Sequence, residues 1–231
     1  VSIRTLLPPA LSTPPAAPPG APSSGWGVRR AARLVFPEPS ALAADPVHAA
    51  RLHRYLSDLL APYGLAPAEP DATGQSYGEM AEALIGAVVP AGEQVDLLVL
   101  AHSVPDLTPG RATACRLGHV CPGGPLSFAV TDQGGTAAST ALRLLAAYAD
   151  SAGLRRALLL VVEQDRLPYD PGVPVALPAA SRGVALLFGD PLPGERPLRI
   201  DPAAATATAA ATAARSGTDP WWELAGLVAD R

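Results

Sequence analysis

The chain has 231 residues, about 48% of them apolar, enough for one sizeable domain with a real core, so wholesale disorder is excluded. Its 17 basic residues are all arginine and stand against 21 acidic ones; the net charge of −4 leaves no basic stripe for phosphates, which argues against nucleic acid as the main partner. No apolar stretch approaches the roughly 18 residues of a spanning helix, and no charged start precedes a long apolar run, so a cytoplasmic protein with no membrane contact and no signal peptide is expected.

Prolines 8, 9, 14, 15, 18, 19 and 22 lack the amide donor a ladder needs, so residues 8–24 read as an extended arm after a short strand at 2–7. A second strand is expected at 27–36, before Pro37 and Pro39, and residues 1–40 form a Pro-rich N-terminal arm with short strands. A helix is expected over 41–60, where Leu52, Tyr55, Leu56, Leu59 and Leu60 build one apolar stripe and Asp45-Pro46 suits a helical first turn. The next helix starts with Ser76 and Glu79 at capping-box spacing and carries Met80, Leu84 and Val88 on one face. Both helices read as layers covering a sheet.

Residues 95–101, Val-Asp-Leu-Leu-Val-Leu-Ala, form a nearly continuous apolar run, as in a strand buried on both faces. Thr108-Pro109 opens a short helix to about Gly118, 126–131 is a second buried strand, and 136–151 is an alanine- and leucine-rich helix ended by Gly153. Strands at 157–162 and 183–188 follow, which makes an α/β fold: a mixed sheet with helices packed on its faces, over a domain at 41–190. Residues 191–231 are an Ala/Thr-rich linker and a C-terminal helix beginning at Asp219-Pro220, whose Trp221 and Trp222 are either a core lid or an interface anchor.

The chemistry-bearing motifs are few. Phosphate loops, dinucleotide fingerprints, nucleophile elbows and zinc spacings are absent, so no metal and no resident cofactor are expected. His48 and His53 sit on the first helix and His119 in a turn, whereas His102 directly follows a buried strand, at the edge where open α/β sheets bind ligands. His102 has a structural reading beside that functional one. Thr131-Asp132-Gln133-Gly134-Gly135-Thr136 joins a strand to a helix so tightly that its residues and free N–H groups face a ligand, either an anion or a carbonyl oxygen. The alternative is a plain tight turn with Asp132 and Thr136 as caps. Cys121 lies before the amino end of that strand, about 17–20 Å from the turn, and Cys115 is expected to be buried within a helix and inert.

Taken together, residues 95–101 with Pro105-Asp106, the segment 128–135 with Ala141-Leu142, Arg155-Arg156-Ala157-Leu158 running to Val162-Glu163, and Phe188-Gly189-Asp190 resemble the thiolase superfamily, in particular its ketoacyl-ACP synthase III branch. The match covers 95–190 in register and 41–89 more loosely, which corresponds to the first of the family's two repeats: a thiolase-like half. The resemblance places the family's nucleophilic cysteine at Gly134 or Gly135, where there is no thiol, and Pro191 replaces the glycine after Phe-Gly-Asp. The family's His and Asn lie in the second repeat, and this sequence contains no asparagine.

What the resemblance implies is a non-condensing partner or acyl-thioester-binding subunit in fatty-acid, polyketide or peptide natural-product biosynthesis, a secondary-metabolism setting. Its ligand would be a CoA or phosphopantetheine thioester. A half-fold is expected to leave an apolar sheet face open, so the implied partner is a second copy or a longer ketosynthase, with an acyl carrier protein as a further one. The competing expectation is an acyltransferase or thioesterase with His102 as base and Thr136 or Thr131 as nucleophile. Asp132 or Glu163 then orients the histidine, and Thr131, Asp132, Gln133, Gly134, Gly135 and Glu163 line the substrate site. A third option is a module that binds an acyl or pantetheine group without chemistry, which the glycine in the nucleophile's place favours.

Overall fold

The computed structural model describes residues 26–68, 74–106, 112–131, 133–201, 205 and 216–229. The expected strand at 2–7, the arm at 8–24, the Thr108-Pro109 helix start, Asp132 and most of the Ala/Thr stretch lie outside them.

Five strands form one mixed sheet: β1 (Gly27–Val35), β2 (Leu97–Ala101), β3 (Leu126–Val130), β4 (Ala157–Glu163) and β5 (Arg182–Gly189), in the order β1-β5-β4-β2-β3. β3, β2 and β4 are parallel, with Leu97 opposite both Leu126 and Ala157. β5 runs antiparallel between β4 and β1, pairing Glu163 with Arg182 and Gly27 with Gly189. β1 thus belongs to the same sheet as the central strands. The register brings the carboxyl ends of β2, β3 and β4 to one side of the sheet.

β2, β4 and nearly all of β5 are buried along their whole length, as their unbroken apolar runs require. β3 departs from the expected buried strand. Among the described residues it has a neighbouring strand on one side only, with Leu126 and Ala129 exposed and only Val130 buried.

The helices explain the rest of the core. The expected single helix over 41–60 divides into α1 (Ala41–Ala44) and α2 (Pro46–Leu60). Pro46 has no N–H to continue the first helix, and Asp45 instead caps the second, its Oδ1 accepting from Val47 N at 2.9 Å. α2 is not the sheet layer expected of it: Leu56 and Leu60 are buried but join neither sheet-face cluster, and Tyr55 and Leu59 are exposed.

The layer on one sheet face is α3 (Tyr77–Val88) with α4 (Thr113–Val120), packed over Leu98, Leu100, Leu158, Leu160 and Leu187. α3 starts with the full reciprocal capping box of Ser76 and Glu79, as the spacing predicts. His119 lies in the last turn of α4, not in a loop. α4 buries Ala114, Leu117 and Gly118, with Cys121 next on the same stripe, which leaves Cys115 one step off it and exposed. The cysteine expected to be buried is the exposed one.

The opposite face carries α5 (Ala137–Ala152) and the C-terminal helix α6 (Asp219–Ala229). α6 lies on β1 and β5, with Trp221 and Ala225 buried and Trp222, Leu224 and Val228 packed beside them. Trp221 is therefore a core lid. Trp222 is flanked by the guanidinium groups of Arg33 and Arg182, 5.5 and 5.3 Å from its ring centre. Helices thus cover both sheet faces, and the open face expected of a half-fold is filled by the chain's own C-terminal helix.

Candidate functional site

The parallel strands end together, and the residues just past them converge. β2 is followed by His102 and Ser103, β3 by Thr131, and β4 ends on Glu163. Between β3 and α5, Gly134–Thr136 makes one 3-10 turn, entered by Gly134 at φ +51°, a left-handed conformation that suits glycine. Together with Gly217 and Thr218 these residues line a half-open cleft at His102, Ser103, Gly134, Gly135 and Glu163, with an internal volume of about 10 Å³. That is room for about one water molecule.

Glu163 is the best-anchored group in the cleft, 1% exposed. Its Oε1 accepts from Ser103 Oγ and Gly217 N, both at 3.2 Å, and its Oε2 from Thr218 N at 3.0 Å and Thr218 Oγ1 at 2.9 Å. Ser216 Oγ donates to Oε2 as well. A carboxylate this deep needs such a donor set, because an unpaired buried charge is prohibitively costly. Arg182, the cross-strand partner of Glu163, completes the arrangement from the far side of the hydroxyls. Its Nε donates to Thr218 Oγ1 at 2.7 Å, one Nη to Ser216 Oγ at 3.1 Å, and it forms an ion pair with Asp219. The hydroxyls of Ser216 and Thr218 thus relay between a carboxylate and a guanidinium.

His102 is half-buried. Its backbone N–H donates to Val130 O at 3.2 Å, prolonging the β2–β3 ladder, and its ring tilts against Tyr77 with centroids 4.8 Å apart. Its Nδ1 lies 3.1 Å from Val104 O and 3.4 Å from Thr131 Oγ1. A carbonyl only accepts, so Nδ1 carries the proton in this arrangement and stands as a donor toward Thr131 as well. Tyr77 donates its hydroxyl to Val104 O at 2.8 Å, and burial holds its phenol pKa well above the ordinary value.

Of the residues singled out from sequence, His102, Gly134, Gly135 and Glu163 share this cleft, and Thr131 touches His102 from the next strand end. Thr136 and Gln133 serve the turn itself: Thr136 Oγ1 donates to Gln133 O at 2.7 Å, and Gln133 Oε1 accepts from Thr140 Oγ1 at 2.7 Å. Asp132 lies outside the described residues. The sequence reading missed Ser103, Arg182 and the turn Ser216-Gly217-Thr218. The only local signal for the turn was the Asp219-Pro220 helix start beside it. Asp106, quoted above with the β2 motif, accepts from Tyr77 N at 2.9 Å and so tethers the first residue of α3.

Neither cysteine is near the turn in sequence or along the strand. Cys121 precedes the amino end of β3, and five residues at ~3.3 Å each separate that end from Thr131. Burial pushes its thiol pKa up to about 11. The described residues hold no group of three His, Cys, Asp or Glu able to bind a metal, and no helix among them is long and apolar enough to cross a membrane.

The fold and cleft define a mixed-sheet α/β protein with a strand-end site, and Gly134 and Gly135 stand where the motif resemblance puts a nucleophilic thiol. Among solved structures, the chain is similar to ChlB3, described as an acyltransferase, at 21% identity and a TM-score of 0.46, over 72% of this chain and 51% of that one. It is also similar to 3-oxoacyl-(acyl carrier protein) synthase III of Pseudomonas aeruginosa at 18% identity and a TM-score of 0.44, over 74% of this chain and 53% of that one. A third is the priming β-ketosynthase of the R1128 polyketide pathway, at 14% identity and a TM-score of 0.45, over 72% and 50%. The chain spans about half the length of each. No protein-family model matches the chain, and no curated protein matches it significantly.

Proposed function

We propose that this chain is a non-condensing subunit of acyl-thioester biosynthesis, of the fatty-acid, polyketide or peptide natural-product kind, acting in the cytoplasm. One observation carries the reading: at the strand-end turn, glycine stands where the motif resemblance puts a thiol, and the cleft beside it has an internal volume of only about 10 Å³. Decarboxylative condensation needs a thiolate to carry the acyl group and room to bring a second thioester against it. The Nδ1 proton of His102, directed at Val104 O, likewise favours binding over base catalysis at that nitrogen. A CoA or phosphopantetheine thioester, free or on a carrier protein, is the ligand of this reading.

The partner is another chain of the same fold, a second copy or a longer ketosynthase, joined through β3. β3 is the sheet edge among the described strands, and Leu126 on it, Val120 at the end of α4 and Leu144 on α5 are exposed apolar side chains on the elements flanking that edge. An open strand edge with apolar side chains is a template for strand pairing.

Light scattering on the eluting protein at micromolar concentration tests the pairing. The parent is expected to run as a dimer, or to shift when a candidate ketosynthase is added. Leu126→Arg with Ala129→Lys is expected to abolish either association while leaving the circular dichroism spectrum unchanged. A parent that stays monomeric with every synthase tried refutes the partner role. Intact-mass spectra after incubation with acyl-CoA and acyl-carrier thioesters test the chemistry, with no covalent adduct expected; an adduct mapped to Thr131, Thr136 or a cysteine supports the acyltransferase instead.

A further inference from the structure

One wall of the cleft is a turn from the C-terminal part of the chain, laid over Glu163. Gly217 is wedged between the three walls of the site: a Cβ at its position meets Ser103 Oγ at 3.1 Å, Glu163 Oε1 at 3.6 Å and Gly135 Cα at 3.7 Å. The turn is fastened by polar groups rather than by apolar packing. Glu163 takes the backbone N–H groups of Gly217 and Thr218 and the hydroxyls of Ser216 and Thr218, and Arg182 grips the same hydroxyls and Asp219. Its continuation, α6, is held by burial of Trp221 and Ala225 on β1 and β5, away from the strand ends. Thr218 O accepts from Trp222 N at 2.9 Å, so release of the turn frays the first turn of α6, while the burial of Trp221 and Ala225 keeps the rest of the helix on the sheet.

We propose that Ser216-Gly217-Thr218 is an autoinhibitory strap: it covers the Glu163 carboxylate at the end of β4, and a ligand entering the half-open cleft gains that carboxylate only by displacing the turn. This rests on the reading of the cleft as a ligand site and adds how that site is controlled. It also sets the chemistry of the displacing ligand. Once the strap lifts, Glu163 is a carboxylate that has lost two N–H and two O–H donors, so the incoming group must offer such donors on an uncharged arm. An arm bearing amides and a hydroxyl meets that need, whereas a ligand that places its own carboxylate or phosphate there is repelled.

The test has a ligand-free arm and a ligand arm. In a Cys115→Ser background, Ser103→Cys places a thiol of nearly the same shape against Gly217, and its rate of modification by iodoacetamide reports opening. Arg182→Met, which removes the outer grip without lining the cleft, and Gly217→Val, which crowds the turn outward, are each expected to raise that rate tenfold or more, with the thermal transition of each variant confirming that it is folded. Equal rates in parent and both variants overturn the strap. In the ligand arm, S-acetyl-pantetheine is expected to speed hydrogen exchange at the Gly217 and Thr218 amides, the reverse of ordinary protection, and to bind the Arg182→Met variant more tightly than the parent. Protection of those two amides on binding overturns displacement. Faster labelling in the variants with no binding of S-acetyl-pantetheine to any of them upholds the strap and sinks the acyl-thioester reading of the cleft.

Discussion

Replacing Glu163 is the most informative single perturbation of this fold. In Glu163→Ala the N–H groups of Gly217 and Thr218 lose their acceptor inside the protein. Each buried donor left unpaired costs about 1–3 kcal/mol. The hydroxyls of Ser216 and Thr218 lie 3.1 Å apart and can turn toward each other, and Arg182 keeps Asp219, so those groups add little. The lost side chain adds a small cavity. We expect a loss of about 3–5 kcal/mol, in the range seen when one member of a buried charged network is removed, and a large fraction of the 5–15 kcal/mol that holds a typical domain together. Glu163→Gln keeps the shape and one acceptor oxygen but turns an NH2 toward donors; a loss of about 1–3 kcal/mol is expected. Urea unfolding followed by far-ultraviolet circular dichroism and by tryptophan fluorescence measures both, and coincident transitions license the comparison. If Glu163→Ala costs less than about 1 kcal/mol, the carboxylate does not organise the strand ends and the argument built on its five donors fails.

Two further outcomes follow from charges and thiols away from the cleft. The Arg29 side chain is 2% exposed and bonded to Glu195 and Glu93; the hydrogen bond from Arg29 is the main cause that lowers the Glu195 pKa from its ordinary 4.5. A carboxylate whose folded pKa lies below its unfolded one contributes stability above about pH 4.5 that is lost as the pH falls through the folded value. Arg29→Met is therefore expected to destabilise the protein at pH 7 and to flatten its loss of stability below pH 4.5, read from urea midpoints between pH 7 and 3; an acid limb as steep as the parent's contradicts the assignment. For the thiols, Cys115 is exposed while burial raises Cys121 to about 11, so Ellman's reagent at pH 7.5 is expected to find one fast thiol in the folded protein and two after unfolding. Two fast thiols in the folded protein would show that Cys121 is not held in the core.

The parts of this fold that were readable from sequence are those decided by a short window of chain. The apolar run ending at Ala101 is a strand because its neighbours on both faces are apolar, and the Ser76–Glu79 box starts a helix through bonds made within four residues. The parts misread depend on what lies across space. β3 has the composition of a buried strand, and only the strand order makes it an edge. Cys115 and Cys121 both sit near α4, and the phase of one helical stripe decides which is buried. The site divides the same way. His102, Gly134, Gly135 and Glu163 were legible because strand ends and tight turns are local features, whereas Ser216-Gly217-Thr218 reaches Glu163 from 53 to 55 residues along the chain. Arg182 was hidden as a first strand residue whose partner is set by antiparallel register.

The contact between Glu163 and the turn at 216–218 bears on the absence of the thiol that the resemblance places at Gly134 or Gly135. In a strand-end site that carries a nucleophile, the turn must stay open to a thioester and the surroundings must favour an anion at the reacting sulfur. Here the nearest buried charge, Glu163, is itself an anion, and the chain's own N–H groups and hydroxyls are spent on holding it. Gly135 has open space around its Cβ position, so sterics do not forbid a larger residue there. If the strap opens as proposed, the carboxylate at the end of β4 is the group it uncovers, and the glycines of the turn leave the approach to it free of side chains.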